Sequence, residues 1–202
     1  MALWLADAPL VLASKSEVRR KILAAAGIPI EVKPAELDER SIEAQAWVRD
    51  AGAVARLLAG AKAQAVMRNL RGRLVLGADQ TLTLDGRRFS KAADRNAARE
   101  QLVALRGKTH QLHSGIAVVQ DGAVLFEHVA MASLTMRDFS DAFLDAYLDT
   151  VGSAAHASVG GYQIESVGIH LFEKIEGGYF TILGLPLLPL LDYLRRSGAL
   201  SG

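Results

Sequence analysis

Short apolar runs alternate along this chain with longer stretches in which apolar positions recur every three or four residues. Residues 9–13 predict a first strand. Ser16 then opens a helix, with Glu17 in its first turn, an apolar stripe of Val18, Ile22, Leu23 and Ala26, and Gly27 as its stop. Residues 28–32 predict a second strand. From Ser41 to about Leu70 the pattern is helical, broken or weakened at Gly52 and Gly60, and the small residues of 61–66 suit close packing. The run Leu74-Val-Leu-Gly-Ala-Asp-Gln-Thr-Leu82 predicts a buried strand that ends at Gly77-Ala78, so that Asp79 stands just beyond it.

Asp85-Gly86 predicts a tight turn, and residues 94–105 a helix that Gly107 terminates. The pattern then becomes β, with residues 109–119 and 124–135 forming a hairpin across Gln120-Asp-Gly122. A helix over 138–150 follows. Two strands are predicted at 169–172 and 179–182, around Glu176-Gly-Gly178, before a last helix that starts at Gly184-Leu-Pro186 and runs through Leu194. Helices alternate with strands, yet the middle is a run of hairpins. This predicts an α/β protein with a mixed twisted sheet and flanking helices.

Composition narrows the picture mainly by exclusion. The 202 residues suit one domain or two tightly joined lobes, with no linker or internal repeat to divide them. A net charge of +1 provides no electrostatic footprint for nucleic acid. With no cysteine in the chain, disulfides and thiolate chemistry are absent. The first thirteen residues lack a basic start and are interrupted by Asp7 and Pro9, unlike a secretory signal. No apolar stretch is long enough to span a bilayer. A cytoplasmic protein without membrane partners is expected.

The candidate chemistry lies at the element boundaries. Asp79 is either a turn residue capping a backbone N–H or a site carboxylate at the mouth of the sheet, where open α/β folds place ligands. Ser14-Lys-Ser16 with Arg19 and Arg20 lies where a strand meets a helix N-terminus, which suits an anion but equally suits a simple cap with solvated arginines. Asp38 and Glu39 read as a cap in isolation; beside Asp79, one of them suits Mg²⁺, which takes few carboxylate oxygens. Lys62 and Lys91 are ordinary surface lysines unless they gather around one anion. His110 and His113 cannot share an ion from one strand, because positions i and i+3 face opposite sides.

Taken together, six stretches in order give the chain a resemblance to the Maf (septum-formation-protein) family of nucleoside triphosphate pyrophosphatases. They are Leu12-Ala-Ser-Lys-Ser16 with Arg19-Arg20, Ala61-Lys-Ala63, Gly77-Ala-Asp-Gln80, Gly107-Lys-Thr-His110 with Ser114-Gly115, Gly161-Tyr-Gln-Ile-Glu165 and Gly184-Leu-Pro-Leu187. The resemblance implies a two-lobed inosine-triphosphatase-like (Maf/Ham1-type) fold, with the nucleotide in a cleft between the lobes. It also implies a homodimer that uses Mg²⁺ or Mn²⁺ to hydrolyse a nucleoside triphosphate to the monophosphate and pyrophosphate, as house-cleaning of non-standard nucleotides with a link to division arrest. By the same resemblance Asp79 is the catalytic base, Ser14, Arg19, Lys62 and Lys91 line the phosphates, and Glu39 joins Asp79 at the metal.

Val18, Gln80 and Glu165 stand where many relatives carry Arg, Thr and Gln, and in these three positions the chain looks like the 7-methyl-GTP branch. Glu165 suits a guanine-type N1–H and amine, and a cationic methylated base would favour a carboxylate further. Glu17 and Ala92 depart from the usual prolines. The alternatives are a dTTP/UTP-type enzyme of the same family and a non-catalytic nucleotide-binding regulator of division.

Overall fold

The computed structural model describes residues 3–46, 48–156 and 158–202. In chain order its elements are β1 (Leu10–Leu12), α1 (Glu17–Ala25), β2 (Ile30–Val32), α2 (Glu39–Ala46), α3 (Ala51–Met67), β3 (Val75–Leu84), β4 (Arg87–Phe89) and α4 (Arg95–Leu105). There follow β5 (Thr109–Gln120), β6 (Ala123–Met136), α5 (Asp141–Val151), two 3₁₀ turns (Gly152–His156 and Val167–Leu171), β7 (Phe172–Glu176), α6 (Tyr179–Ile182) and α7 (Leu187–Arg196). Seven strands form one sheet in the order β2-β1-β3-β5-β6-β7, with β4 paired to β3. β1 runs parallel to β2 and β3, whereas the β3–β4 and β6–β7 pairs are antiparallel. The sheet is therefore mixed, as the hairpin-rich middle of the sequence predicts.

The chain packs as two compact units, one of Met1–Gln80, His113–Ala130 and Gly178–Gly202, the other of Thr81–Leu112 and Met131–Gly177. In the first, the two-residue period of the strands sorts side chains onto two apolar faces. Leu10, Leu12, Leu76, Ala78, Ile116 and Val118 pack with Ile22 and Leu23 of α1 and Leu187, Leu190 and Leu194 of α7. Val11, Ala13, Val75 and Val119 pack with Ala63 of α3. Both faces are covered, which is why these strands read as continuous apolar runs rather than alternating ones. Each fully buried leucine here contributes on the order of 1.5–3 kcal/mol.

The α3 face is closely packed. A Cβ on Gly77 would lie 1.9 Å from the carbonyl oxygen of Ala59, and one on Gly115 would lie 2.5 Å from the carbonyl carbon of Ala55. Ala55, Ala59 and Ala63 recur every four residues and are fully buried. Small residues on both partners let the helix backbone settle against β3 and β5.

In the second unit, Asp94 caps α4 and Ser140 caps α5. The two helices bury Leu102, Leu105, Leu144 and Leu148. Above that core, Arg95 pairs with Asp149, Arg99 with Asp145 and Arg106 with Asp141. These pairs are largely exposed and contribute little to stability individually.

Several sequence expectations need correction. The strand carrying Asp79 does not end at Gly77-Ala78; it continues through Thr81-Leu-Thr-Leu84 and turns at Asp85-Gly86, whose φ values of 51° and 77° suit a two-residue hairpin. Neither Gly52 nor Gly60 breaks the long helical stretch. The interruption precedes them, and Asp50 restarts the helix by accepting a hydrogen bond from the Ala53 N–H. Residues 167–171 form a 3₁₀ turn instead of a strand, and β7 begins only at Phe172. Tyr179–Ile182 is a helical turn closed by Ile182 N–H to Gly178 O at 3.1 Å. Short apolar runs carry no period that separates strand from turn. Among the described residues no helix is long and apolar enough to cross a membrane.

The packing of α3 makes opposite predictions for two glycines. Gly77→Ala should lower the free energy of unfolding by about 3 kcal/mol or more, since backbone rather than a pliant side chain must move. Gly60→Ala has only Glu127 Oε1 nearby, at 3.5 Å, and should leave stability equal or up to ~1 kcal/mol higher, the helix-propensity gain. Urea titration of the two variants beside the parent checks both signs.

Candidate active site

Asp79 lies within β3, on the face that Gly77 and Val75 present to α3. It is 8% exposed, and its Oδ1 accepts a hydrogen bond from Lys62 Nζ at 2.5 Å. The small residues of α3 make this contact possible by letting the helix carry Lys62 down to the sheet. The same ammonium lies 2.8 Å from Oε1 of Glu39, in the first turn of α2. The Lys62 side chain is 15% exposed and that of Glu39 47%, so one cation links an inner carboxylate to an outer one. Neighbouring Asp38 has the simpler part, its carboxylate accepting from Ser41 N–H.

Burial raises the Asp79 carboxyl above the ordinary aspartate range; the Lys62 ammonium and the Arg19 guanidinium oppose the rise, and Glu39 adds to it. A carboxylate displaced in this direction holds a proton more readily than a free one and makes a better acceptor.

Arg19 projects from α1, behind the loop that Ser14 and Ser16 organise. Ser16 caps the helix, accepting from Arg19 N–H, while Ser14 Oγ accepts from Ser16 N–H at 3.2 Å. Arg19 donates from Nη1 to Ser14 Oγ (3.1 Å) and to Ala78 O (2.7 Å), and from Nε to Gly184 O (2.8 Å). It therefore clamps β1, β3 and the α6–α7 turn together as well as bringing charge near Asp79. Arg20 turns outward and pairs with Glu17. Val18 is half-buried against the core beside α1.

Gln80 faces away from Asp79, as its odd-even position requires. Its Nε2 donates to Ser114 Oγ (2.9 Å), Thr181 O (3.1 Å) and Ile182 O (3.0 Å). Ser114 in turn donates to Thr181 O at 2.7 Å. Ser114 has no role legible from the sequence beyond being a serine beside Gly115 in an apolar strand. The amide nitrogen of Gln80 is committed to this tie, which holds the α6 turn.

Lys91 and Glu165 belong to the second unit, where both are exposed; Lys91 forms an isolated antiparallel bridge with Val159. Of the predicted site residues, the structure thus joins Ser14, Arg19, Lys62, Asp79 and Glu39 in the first unit. Among the described residues no group of three His, Asp or Glu side chains is placed to hold a metal, and His110 and His113 do not form one. Glu39 and Asp79 nonetheless converge on a single cation, the Lys62 ammonium. Two hard oxygen donors with one positive centre between them fit Mg²⁺ or Mn²⁺, whose remaining positions water and phosphate oxygens fill.

A family model described as Maf-like protein matches residues 9–197. The chain belongs to the Maf-like protein family. Over 201 residues, covering all of both chains, it is 53% identical to the nucleoside triphosphate pyrophosphatase of Nitrobacter winogradskyi and 54% identical to that of Rhodopseudomonas palustris. It is also 51% identical to a 7-methyl-GTP pyrophosphatase of Mesorhizobium japonicum, over 96% of this chain and 98% of that one. Among solved structures, a HAM1 protein from Coxiella burnetii is similar over 65% of this chain and 74% of that one, at a TM-score of 0.42 and 15% identity. That likeness is loose and adds nothing to the strand order described above. The Maf-like family resemblance of the sequence therefore stands on full-length relatives.

The position of Lys62 leads to a pH test. Because the folded-state value of Asp79 is raised, its contribution to stability is complete below the ordinary aspartate range and is lost as pH rises through the raised value. Lys62→Met removes the strongest opposing charge. The variant should be destabilised by roughly 2 kcal/mol at neutral pH, less than for a fully buried pair because Glu39 is half exposed. It should also lose more stability than the parent as pH rises from the ordinary aspartate range to neutrality. Urea midpoints at the two ends of that range measure the difference; parallel curves would remove Lys62 as the opposing charge.

Proposed function

We propose that this Maf-like protein is a nucleoside triphosphate pyrophosphatase acting on 7-methyl-GTP, with Asp79 as general base. The observation that carries the reading is the buried Asp79 carboxylate held 2.5 Å from Lys62, with Glu39 on the same ammonium. Asp79 accepts a proton from the attacking water, whose oxygen forms the new bond to the α-phosphorus. The bond from that phosphorus to the bridging oxygen breaks, and pyrophosphate leaves with its charge held by cations. The pyrophosphate product fixes cleavage between the α- and β-phosphoryl groups, and attack at the α-phosphorus makes pyrophosphate the leaving group.

Lys62, Arg19 and the Ser14 loop at the α1 N-terminus supply positive charge and donors for the phosphates in the first unit. By the family resemblance Lys91 is a further cation for the phosphates and Glu165 the acceptor for the base. Glu39 and Asp79 would hold a divalent metal, which when bound neutralises triphosphate oxygens. Glu165 suits 7-methylguanine because a carboxylate accepts from N1–H and the exocyclic amine, and the N7-methylated ring is cationic. A relative sharing 51% identity bears the name of that activity. The family resemblance also supports a homodimer. Removal of modified nucleotides is the role this chemistry serves, and an effect on cell division would follow from the nucleotide pool.

A panel of 7-methyl-GTP, GTP, dTTP and UTP with Mg²⁺ or Mn²⁺, read out as pyrophosphate against orthophosphate, tests the reaction and the substrate. Pyrophosphate should appear first, and 7-methyl-GTP should give the highest kcat/KM; orthophosphate as first product would sink attack at the α-phosphorus. Asp79→Asn should lower kcat by about 10²–10⁴-fold, the usual range for a general base.

Base reading has a separate test. Glu165→Gln keeps the shape and removes the charge, so the advantage of 7-methyl-GTP over GTP should shrink. An unchanged substrate ranking would show that Glu165 does not read the base.

A further inference from the structure

Two sequence motifs remain without a role in the proposed chemistry, Gly107-Lys-Thr-His110 and the Gly161-Tyr162 pair ahead of Glu165. They meet inside the second unit. His110, at the start of β5, has no exposed surface, and its Nε2 lies 2.6 Å from the hydroxyl of Tyr162, 52 residues further along the chain. The Tyr162 ring packs edge-on against Phe172, with ring centroids 4.8 Å apart. The second ring nitrogen of His110, Nδ1, is buried with no hydrogen-bond partner among the described residues. Leaving a buried polar atom unpaired is costly, so the bond to Tyr162 is the one polar reward for burying this histidine.

Tyr162 stands in a short segment that carries Glu165 and pairs with Lys91. On its N-terminal side Val159 bridges to Lys91. On its C-terminal side the Gln163 carbonyl accepts from Ser166 N–H at 3.2 Å and from Ser166 Oγ at 3.1 Å, closing a turn with Glu165 inside it. Gly168 shuts that turn, since a Cβ there would lie 2.4 Å from Gln163 O. Two further hydrogen bonds tie the segment, Tyr147 OH to Gly161 O at 3.0 Å and Ser158 Oγ to Tyr162 O at 2.5 Å. The buried Tyr162 ring thus sits midway in a segment tied at Val159, Gly161, Tyr162 and Gln163.

We infer that His110 and Tyr162 are positioning residues whose buried hydrogen bond fixes the segment presenting Lys91 and Glu165 to the nucleotide. The inference rests on the substrate roles proposed for those two residues. A latch of this kind has to hold across the working pH range, and burial lowers His110 to about 4, which keeps its ring neutral there. Neither residue touches the reacting atoms, so the latch should act on binding and discrimination and leave the chemical step alone.

Tyr162→Phe removes the hydroxyl and keeps the ring. It should raise KM for 7-methyl-GTP about tenfold with kcat within about twofold, and it should narrow the kcat/KM ratio of 7-methyl-GTP to GTP. His110→Phe removes the same bond from the other side, should match that profile, and carries the test if Tyr162→Phe fails to fold. His110→Gln retains a side-chain donor at a similar reach and should restore KM to within about twofold of the parent. Leu144→Ala, a buried deletion in α5, controls for general destabilisation and should leave KM unchanged.

An unchanged KM and ratio in folded Tyr162→Phe or His110→Phe would overturn the inference, as would equal KM changes in His110→Gln and His110→Phe. Lys91→Ala and Glu165→Gln separate the two levels. If these leave KM and substrate ranking unchanged, the substrate assignments fail; if they alter them while the Tyr162 and His110 variants do not, the latch alone fails.

Discussion

The contact on which this structure depends is the one between the α3 backbone and Gly77. A Cβ at that position would fall 1.9 Å from the Ala59 carbonyl, so the helix can lie where it does only because residue 77 has no side chain. The alanines at 55, 59 and 63 make the same concession from the helix side. The gain from this closeness exceeds that of ordinary packing. Lys62 follows Ala59 by three residues, nearly one turn, and the tight seat brings its ammonium to 2.5 Å from Asp79. A helix held a side chain's width further out would leave the buried carboxylate without its ion-pair partner, an arrangement that costs several kcal/mol.

The resulting charges balance locally: Arg19 and Lys62 against Asp79 and Glu39. Such a cluster is a poor device for stability, because desolvating its inner ions offsets most of what their attraction returns. Apolar residues of the same volume would serve the fold equally well. The cluster makes better sense as chemistry. Burial pushes the Asp79 proton affinity up while Lys62 and Arg19 restrain it, so the group stays ionisable yet a stronger acceptor than a surface aspartate. The cations that restrain this carboxyl are also the phosphate partners proposed above.

Local signals in the sequence proved reliable where the physics is local. Ser16 caps α1, and Asp85-Gly86 and Asp121-Gly122 turn with positive φ, because caps and two-residue turns are decided by neighbours in sequence. The mixed sheet was legible for the same reason, from hairpins set among helical periods. Non-local structure was not legible. Nothing near Gly77 in sequence shows that a helix lies on it, so a glycine that permits close approach read as one that ends a strand, and Asp79 was placed past an end that comes only at Leu84. Residues 167–182 failed similarly. Their apolar runs are too short to carry a period, and a 3₁₀ turn at Val167–Leu171 and a helical turn at Tyr179–Ile182 stand where two strands were expected.

Gln80 shows how adjacent residues can serve different ends. Strand alternation sends Asp79 toward α3 and Gln80 to the opposite face, where its amide nitrogen ties Ser114, Thr181 and Ile182. Arg19 holds the peptide just before Asp79, through Ala78 O, and reaches Gly184 in the same turn that Gln80 grips. Asp79 is therefore flanked by two residues whose positions are set from the far side of the sheet, by a serine and by carbonyls about a hundred residues away. A shorter side chain at position 80 could not span both the Thr181 and Ile182 carbonyls, and the α6 turn would need another anchor. Difference at this position between related sequences thus changes a brace on the strand that carries Asp79, and it can alter activity without any contact between residue 80 and the nucleotide.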